Sequence, residues 1–499
     1  MRTAIVIGPT TDDVCSPFPF LGPAILKAFA RSRGHSVEIV DLGVRVRHAN
    51  RWRWRRPFRP EVFSSGSAVR RYLDSGDDSR IAAEVDALID LGALDDFELV
   101  GFSLYDSNAI GAALCLAKRL KQRQGATTVF GGPVIRRGDF EYLLHFDFVD
   151  HVVVGDGEEA LVALLDGSHG AATPGLVSRG RRANAGWRAV DLPLSSKPLP
   201  EFEASDLWAY RRLAIKNRAF APYLLTRGCR YKCAFCPEYP KVGFEYTPIA
   251  KVVGDVRELV ARSGIDAIYF TEANITNDLE RVRELCDELL AKEVRVPWGG
   301  LGTLAGLDRA TIRLMADAGC RYLLIGVESG SEAMLEALNV TKIPSPRELR
   351  AIFAQLHECG IRTSAQFIVG LPHETERDYQ ATVALFRELS PHLTRAIAFG
   401  FELVEGSPCA LRPEKFGLRP TPTGAGDYRF GHRGLPFDEE GGLTWERKRR
   451  SVIGREKRLN RLIDRTVGRR LMLRLCREDL RVGLKLLTRR PYFSYDVHL

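Results

Sequence analysis

Twice along this chain, short apolar runs alternate with stretches of helical periodicity, and the runs are continuous rather than alternating in polarity. That pattern narrows the fold more than any other feature. A strand that is apolar on both faces must be covered on both faces, the condition of a parallel sheet in an α/β protein. In the first stretch Ala4-Ile-Val-Ile7, Val37-Glu-Ile-Val40, Leu99-Val-Gly-Phe-Ser-Leu104, Thr128-Val-Phe130 and Val152-Val-Val154 read as strands, with helices over 21–32 and 109–123 and another from Glu159. In the second, strands at 222–226, 267–271, 298–301, 322–327, 364–369 and 396–401 suit a partial (β/α)6, TIM-like barrel. The expected organisation is a Rossmann-like doubly wound domain over 1–166, a linker or small hairpin excursion within 167–215, the partial barrel over 216–420, and a basic, mainly helical region over 421–499 in which 424–442 reads as loop. Ligands of both architectures sit beyond the carboxyl ends of the strands. In the first domain those ends carry Gly8-Pro9, Ser103, Gly131-Gly132-Pro133 and Gly155-Asp156-Gly157, small residues that let a large flat ligand approach the backbone.

Charge is unevenly placed. The net charge is +9, yet 441–499 holds 17 Lys/Arg against 6 Asp/Glu, so the rest of the chain sums to about −2. A second basic island alternates arginine with tryptophan in Arg51-Trp-Arg-Trp-Arg-Arg56. Arginine beside aromatics can stack on bases, but amphipathic helices with a solvated arginine face account for both regions more simply, and nucleic acid is not an expected partner. No apolar run nears the ~18 residues that span a bilayer, and the amino terminus enters a strand directly, without the apolar core and cleavage site of a signal peptide. A cytoplasmic protein is expected.

Ten cysteines are too few for a disulfide scaffold, but three fall within eight residues: Cys229-Arg-Tyr-Lys-Cys233-Ala-Phe-Cys236, bracketed by Gly228 and Pro237 at the end of the first barrel strand. Thiolates this close converge on one object from a loop, and they select zinc or an iron–sulfur cluster. Zinc wants a fourth protein ligand nearby. None is local: no histidine lies between His169 and His357, and the next cysteine is Cys286. A cubane held by three thiolates leaves one iron open to a small molecule.

This loop, with aromatic Phe235 before the third cysteine, resembles the cluster-binding loop of the radical S-adenosylmethionine (SAM) superfamily. Further segments match in order. Cys320-Arg-Tyr-Leu-Leu-Ile-Gly-Val-Glu328-Ser329-Gly-Ser331 resembles the family's fourth-strand segment. Phe367-Ile-Val-Gly370-Leu-Pro372-His373-Glu374-Thr375 resembles its fifth-strand turn, with His373 in place of the usual glycine, and Phe401 to Pro408 resembles the last-strand region. The amino-terminal half resembles the cobalamin-binding domain fused ahead of one radical SAM subfamily, through Asp41, Gly101-Phe-Ser103-Leu104, Gly131-Gly132-Pro133 and Gly155-Asp156-Gly157-Glu158. The Asp-x-His-x-x-Gly motif that supplies a lower histidine ligand is missing from that half, which leaves the lower axial face unassigned.

The resemblance implies a 4Fe–4S cluster on Cys229, Cys233 and Cys236, SAM against Phe235, Glu328, Ser329, Arg362 and Gln366, and cobalamin against Pro9, Ser103, Leu104, Gly131, Gly132, Pro133, Gly155, Asp156, Gly157 and Glu158. It implies a 5′-deoxyadenosyl radical that takes hydrogen from an unactivated carbon, with a methyl group then delivered from cobalamin, and an electron donor such as flavodoxin or ferredoxin. The expected activity is carbon methylation of a small-molecule, carrier-bound or peptide substrate. A non-methylating radical step (cyclisation, ring contraction or oxygen insertion) and a non-catalytic cofactor-binding or sensor protein are the competing readings. A methylthiotransferase would bring three further amino-terminal cysteines, whereas only Cys15 and Cys115 precede the cluster here. The remaining cysteines, Cys409 included, and His373 read as structural or loop residues.

Overall fold

The computed structural model describes residues 1–10, 18–50, 57–135, 139–170, 173–180, 191–213, 218–238, 244–421 and 434–478. The 51–56 island, Cys15 and the stretch beyond 478 lie outside the described residues. The chain divides into two compact units, with the boundary after Leu213.

In the first unit, β1 (Thr3–Ile7), β2 (Glu38–Asp41), β3 (Leu99–Ser103), β4 (Thr127–Gly131), β5 (His151–Val153) and β6 (Leu176–Ser178) form one sheet in the order β2-β1-β3-β4-β5-β6. The first five run parallel, and β6 turns antiparallel to β5. All five residues of β1 are buried, as a strand covered on both faces requires. Part of the 167–215 stretch is thus woven into this unit: it supplies β6, and the helix Ala204–Leu213 docks through the Tyr210 hydroxyl, which donates to the buried Asp41 carboxylate. The strand order reverses between β1 and β3, so the connections leaving their carboxyl ends run in opposite directions, the position at which an open α/β sheet forms its ligand crevice.

In the second unit, β7 (Phe220–Tyr223), β8 (Ala267–Phe270), β9 (Trp298–Gly302), β10 (Cys320–Glu328), β11 (Arg362–Val369) and β12 (Arg395–Gly400) pair in sequence order, all parallel. Every strand expected from the sequence is present. Asp278, Asp308 and Ser345 cap the helices between them with side-chain oxygens.

The edge strand β12 is protected by the basic carboxyl-terminal region. From the helix Trp445–Ile463, the Asn460 amide accepts from Ala398 N–H at 2.9 Å and donates to Ala398 C=O at 2.8 Å, standing in for a neighbouring strand. Two basic residues of this helix are not on a solvated face. Lys448 and Arg455 are buried in ion pairs with Glu439 and Glu374 at 2.5 Å each. The 424–442 stretch also departs from the expected loop. Among its described residues, Gly434–Leu435 pairs with Leu403–Val404 and Phe437–Glu439 with Leu418–Pro420. These ladders are two and three residues long, too short for polarity alternation to betray them in the sequence.

Candidate active site

The three-cysteine loop leaves the carboxyl end of β7 and is held mainly by residues from elsewhere. Asn277 Oδ1 accepts from Arg230 N–H at 3.1 Å, Asn339 Nδ2 donates to Lys232 C=O at 3.0 Å, and Ala234 N–H donates to Leu338 C=O at 2.8 Å. Cys409 N–H donates to Ala234 C=O at 2.9 Å, so this cysteine braces the loop through its backbone while its side chain packs in the same apolar cluster as Cys233. Phe235 packs on that cluster as well. Cys229 and Cys236 are half-buried and Cys233 is buried. Burial pushes the Cys233 thiol up to about 12 and raises Cys236, with the neighbouring thiols adding to it. No group of three or more His, Cys, Asp or Glu among the described residues is placed to hold a single metal ion. Three thiols with no fourth His or Cys in the loop suit a cluster better than one zinc.

Beside this loop lies a buried ion pair that sequence reading missed on one side. Lys342 Nζ donates to Glu328 Oε1 at 2.6 Å, with both side chains largely withdrawn from water. Burial alone would lower the Lys342 ammonium, but Glu328 and the thiols of Cys233 and Cys236 outweigh it, and the net direction is upward. Lys342 thus faces both the carboxylate and the thiols. Only its order after Glu328 in the chain could have hinted at this, since an isolated lysine in a loop normally reads as solvated. Glu328 ends β10 after a register irregularity and takes φ +64°, a left-handed conformation that costs a non-glycine residue about 1–3 kcal/mol. Ser329 turns away: its hydroxyl lies 3.1 Å from Thr382 Oγ1 and accepts from Ser331 N–H. Along β11, Thr363, Ala365, Phe367 and Val369 are fully buried, and Phe367 meets Phe386 of the covering helix. Arg362 and Gln366 share the opposite face, away from that helix.

His373 occupies the left-handed region that favours glycine, at φ +57°. Its N–H donates to Glu439 Oε1 at 2.7 Å and its Nε2 sits 3.2 Å from Gly417 C=O. Glu439 in turn holds Lys448, which donates to Leu371 C=O at 2.6 Å. His373 stands where the resembled turn motif carries glycine, and these contacts hold it in a glycine-like backbone conformation.

One further buried acid escaped the sequence reading. Glu272, just past β8, is pushed up to about 8 by burial. Its Oε2 accepts from Leu225 N–H at 3.4 Å, and its Oε1 has no partner among the described residues.

In the first unit the expected residues gather at the carboxyl ends of β1, β3, β4 and β5. Leu104 N–H donates to Gly131 C=O at 2.7 Å, and Gly132, at φ +114°, lies so near Leu104 that an added Cβ would stand 2.4 Å from its carbonyl oxygen. Gly155 also has positive φ. Pro9 and Ser103 follow β1 and end β3, flanking the crevice, with Pro133 and Gly157 at the neighbouring ends. The two acids of this group are committed within the protein. Lys197 Nζ lies 3.0 Å from Asp156 Oδ2 and pairs with Glu158, and Leu192 N–H donates to Asp156 at 2.7 Å.

Residues 223–386, within the second unit, match the family model of the radical SAM superfamily. Over most of its length the chain shares the fold of TsrM from Kitasatospora setae, described as a radical S-adenosylmethionine methyltransferase and solved with tryptophan substrate and a SAM analogue. The TM-score is 0.65 at 18% identity, covering 92% of this chain and 89% of that one. A second structure of TsrM holds cobalamin and a [4Fe-4S] cluster. In sequence, the chain is 25% identical over 309 residues to bacteriochlorophyllide d C-8(2)-methyltransferase of Chlorobaculum tepidum, covering 59% of this chain and 63% of the relative. It is 25% identical over 282 residues to the anaerobic magnesium-protoporphyrin IX monomethyl ester cyclase of Rubrivivax gelatinosus, covering 53% and 50%. The chain spans less than two thirds of the length of these relatives. No helix among the described residues is long and apolar enough to cross a membrane.

Proposed function

We propose that this chain is a cobalamin-dependent radical SAM enzyme that methylates an unactivated carbon of a small-molecule, carrier-bound or peptide substrate in the cytoplasm, with a one-electron donor such as flavodoxin or ferredoxin. The observation that carries the reading is the set of three thiols on a braced loop beside the buried Lys342–Glu328 pair. Cys229, Cys233 and Cys236 would hold a 4Fe–4S cluster. Glu328, Lys342, Phe235, Arg362 and Gln366 would face SAM, with Ser329 shaping the turn from behind. The crevice ends Pro9, Ser103, Leu104, Gly131, Gly132, Pro133, Gly155 and Gly157 would receive cobalamin largely through backbone, with Asp156 and Glu158 fixing the last turn through Lys197. When bound, these groups supply one-electron carbon–sulfur cleavage, hydrogen abstraction from carbon and a transferable methyl group.

The protein's own contribution is positional. Lys342 offers a fixed ammonium and Glu328 a fixed carboxylate, both withdrawn from water, where a charge acts more strongly than in solvent. The braced loop holds the thiols ready without a large ordering cost. The match to a cyclase favours one second reading, a radical step without methyl transfer on the same cofactors.

Anaerobic purification with iron, spectroscopic quantification of cluster and corrin, and an assay with methyl-labelled SAM test the proposal together. Label in the product is expected. Cluster and corrin uptake with an unlabelled product favours the second reading, and uptake of neither overturns both. Replacing Cys233 by Ala is expected to abolish cluster uptake, measured as iron per chain, with loss of more than about a hundredfold in product formation.

A further inference from the structure

We infer that Asn277 is a positioning residue that fixes Cys229 in the three-cysteine loop; the inference rests on reading that loop as a cluster site. Asn277 lies between β8 and the helix Leu279–Ala291, and only 1% of it is exposed. Its amide touches the peptide groups on both sides of Cys229. Oδ1 accepts from Arg230 N–H at 3.1 Å, and Nδ2 lies 3.5 Å from Gly228 C=O. Cys233, by contrast, is flanked by Lys232 and Ala234, whose backbones are held by Asn339, Leu338 and Cys409. The two halves of the loop are therefore secured from different elements, and in the first half one side chain, Asn277, contacts both peptide groups that flank Cys229.

That side chain is itself held in place. Asn274 Nδ2 donates to Asn277 Oδ1 at 3.4 Å and to Thr303 Oγ1 at 3.2 Å. Thr276 Oγ1 lies 3.0 Å from Asn274 Oδ1 and 2.8 Å from Thr303 C=O, and it accepts from Thr303 N–H at 2.7 Å. Asn274, Thr276, Asn277 and Thr303 are all buried. A buried polar network whose members are mutually satisfied is rigid and costly to rearrange, so it transmits the position of the β8 and β9 ends to the backbone at Cys229. A thiolate whose flanking peptides are fixed holds iron at one distance and angle, whereas a free one lets the metal leave.

The test compares native protein with Asn277→Leu, which removes both contacts at similar volume, and Asn277→Asp, which keeps an oxygen for Arg230 N–H. After anaerobic reconstitution, the rate of iron release to a chelator and the electron paramagnetic resonance spectrum of the reduced cluster are recorded. The leucine variant should release iron about tenfold faster with shifted g-values, and the aspartate variant should return to within about twofold of native, the scale expected when an outer partner of a metal ligand is lost and restored. A purely structural role would lower the melting temperature of the apoprotein without moving the spectrum. Should the leucine variant fail to fold, Asn277→Ser, too short to reach Arg230, is judged by the same criteria. Native iron release and a native spectrum in the leucine or serine variant overturn the inference alone. Native protein that takes up no cluster overturns the reading beneath it as well.

Discussion

The two six-stranded sheets of this chain end in different materials. At the carboxyl ends of β1, β3, β4 and β5 the first unit presents backbone: glycines, two prolines, and acids already tied to Lys197. At the ends of β7 to β10 the second unit presents side chains: three thiols, a buried ion pair, an asparagine–threonine network and a buried acid. The contrast teaches what each can hold. Backbone and small residues suit a broad ligand that needs space and many weak contacts. Positioned charges and thiols suit ligands that are themselves charged or metallic, and such groups are expensive to bury unless each satisfies another.

That difference is open to attack by substitution. The largest effect on stability is expected at the buried pair. Lys342→Met leaves Glu328 buried without a partner and should cost about 3–5 kcal/mol of apoprotein stability by denaturant unfolding, while adding Glu328→Gln should restore most of it. A single variant no less stable than native would show that the second site's charges are not interdependent.

Next comes the first unit's backbone. Gly132→Ala places a Cβ against Leu104 at a φ that L-residues avoid and should cost about 3 kcal/mol, with corrin uptake reduced in equilibrium binding. Full stability and native corrin binding would break the claim that these ends work through close backbone approach.

The narrowest effect, confined to one pH window, is at Glu272, whose carboxyl sits near 8 in the folded chain and about 4.3 when unfolded. Between those values the native state binds more protons than the unfolded state, so stability falls as pH rises from about 4.3 to about 8 and then levels. Glu272→Gln lacks that slope. At pH 9 it should exceed native by up to about 5 kcal/mol, the gap closing toward pH 5; parallel stability curves across that range would refute it.

Much of this was readable in advance because the signals are local. Residues 21–32 carry helical periodicity in the sequence, and the helix runs over Leu21–Ser32. The six strands of the second sheet were visible as continuous apolar runs, and the cysteine spacing marks a loop without any knowledge of its surroundings. Other features were invisible because their meaning comes from contacts between distant residues. Lys448 and Arg455 belong to a stretch whose average is a solvated basic helix, yet they are buried because Glu439 and Glu374 are brought to them. Asn460 reads as a polar helix residue until an unpaired strand edge stands opposite it. Ser329 matched a motif whose residue order says nothing about rotamer, and its hydroxyl turns toward Thr382.

The order of residues alone thus determined which segments become strands and helices and where three thiols could meet, since hydrophobic periodicity and short-range spacing are properties of neighbours in the chain. Tertiary structure alone decided which charges lie buried, which side chains brace the thiol loop, and how an open sheet edge is sealed. Those outcomes depend on desolvation and on pairing across tens to hundreds of residues, and neither is expressed until the chain has folded.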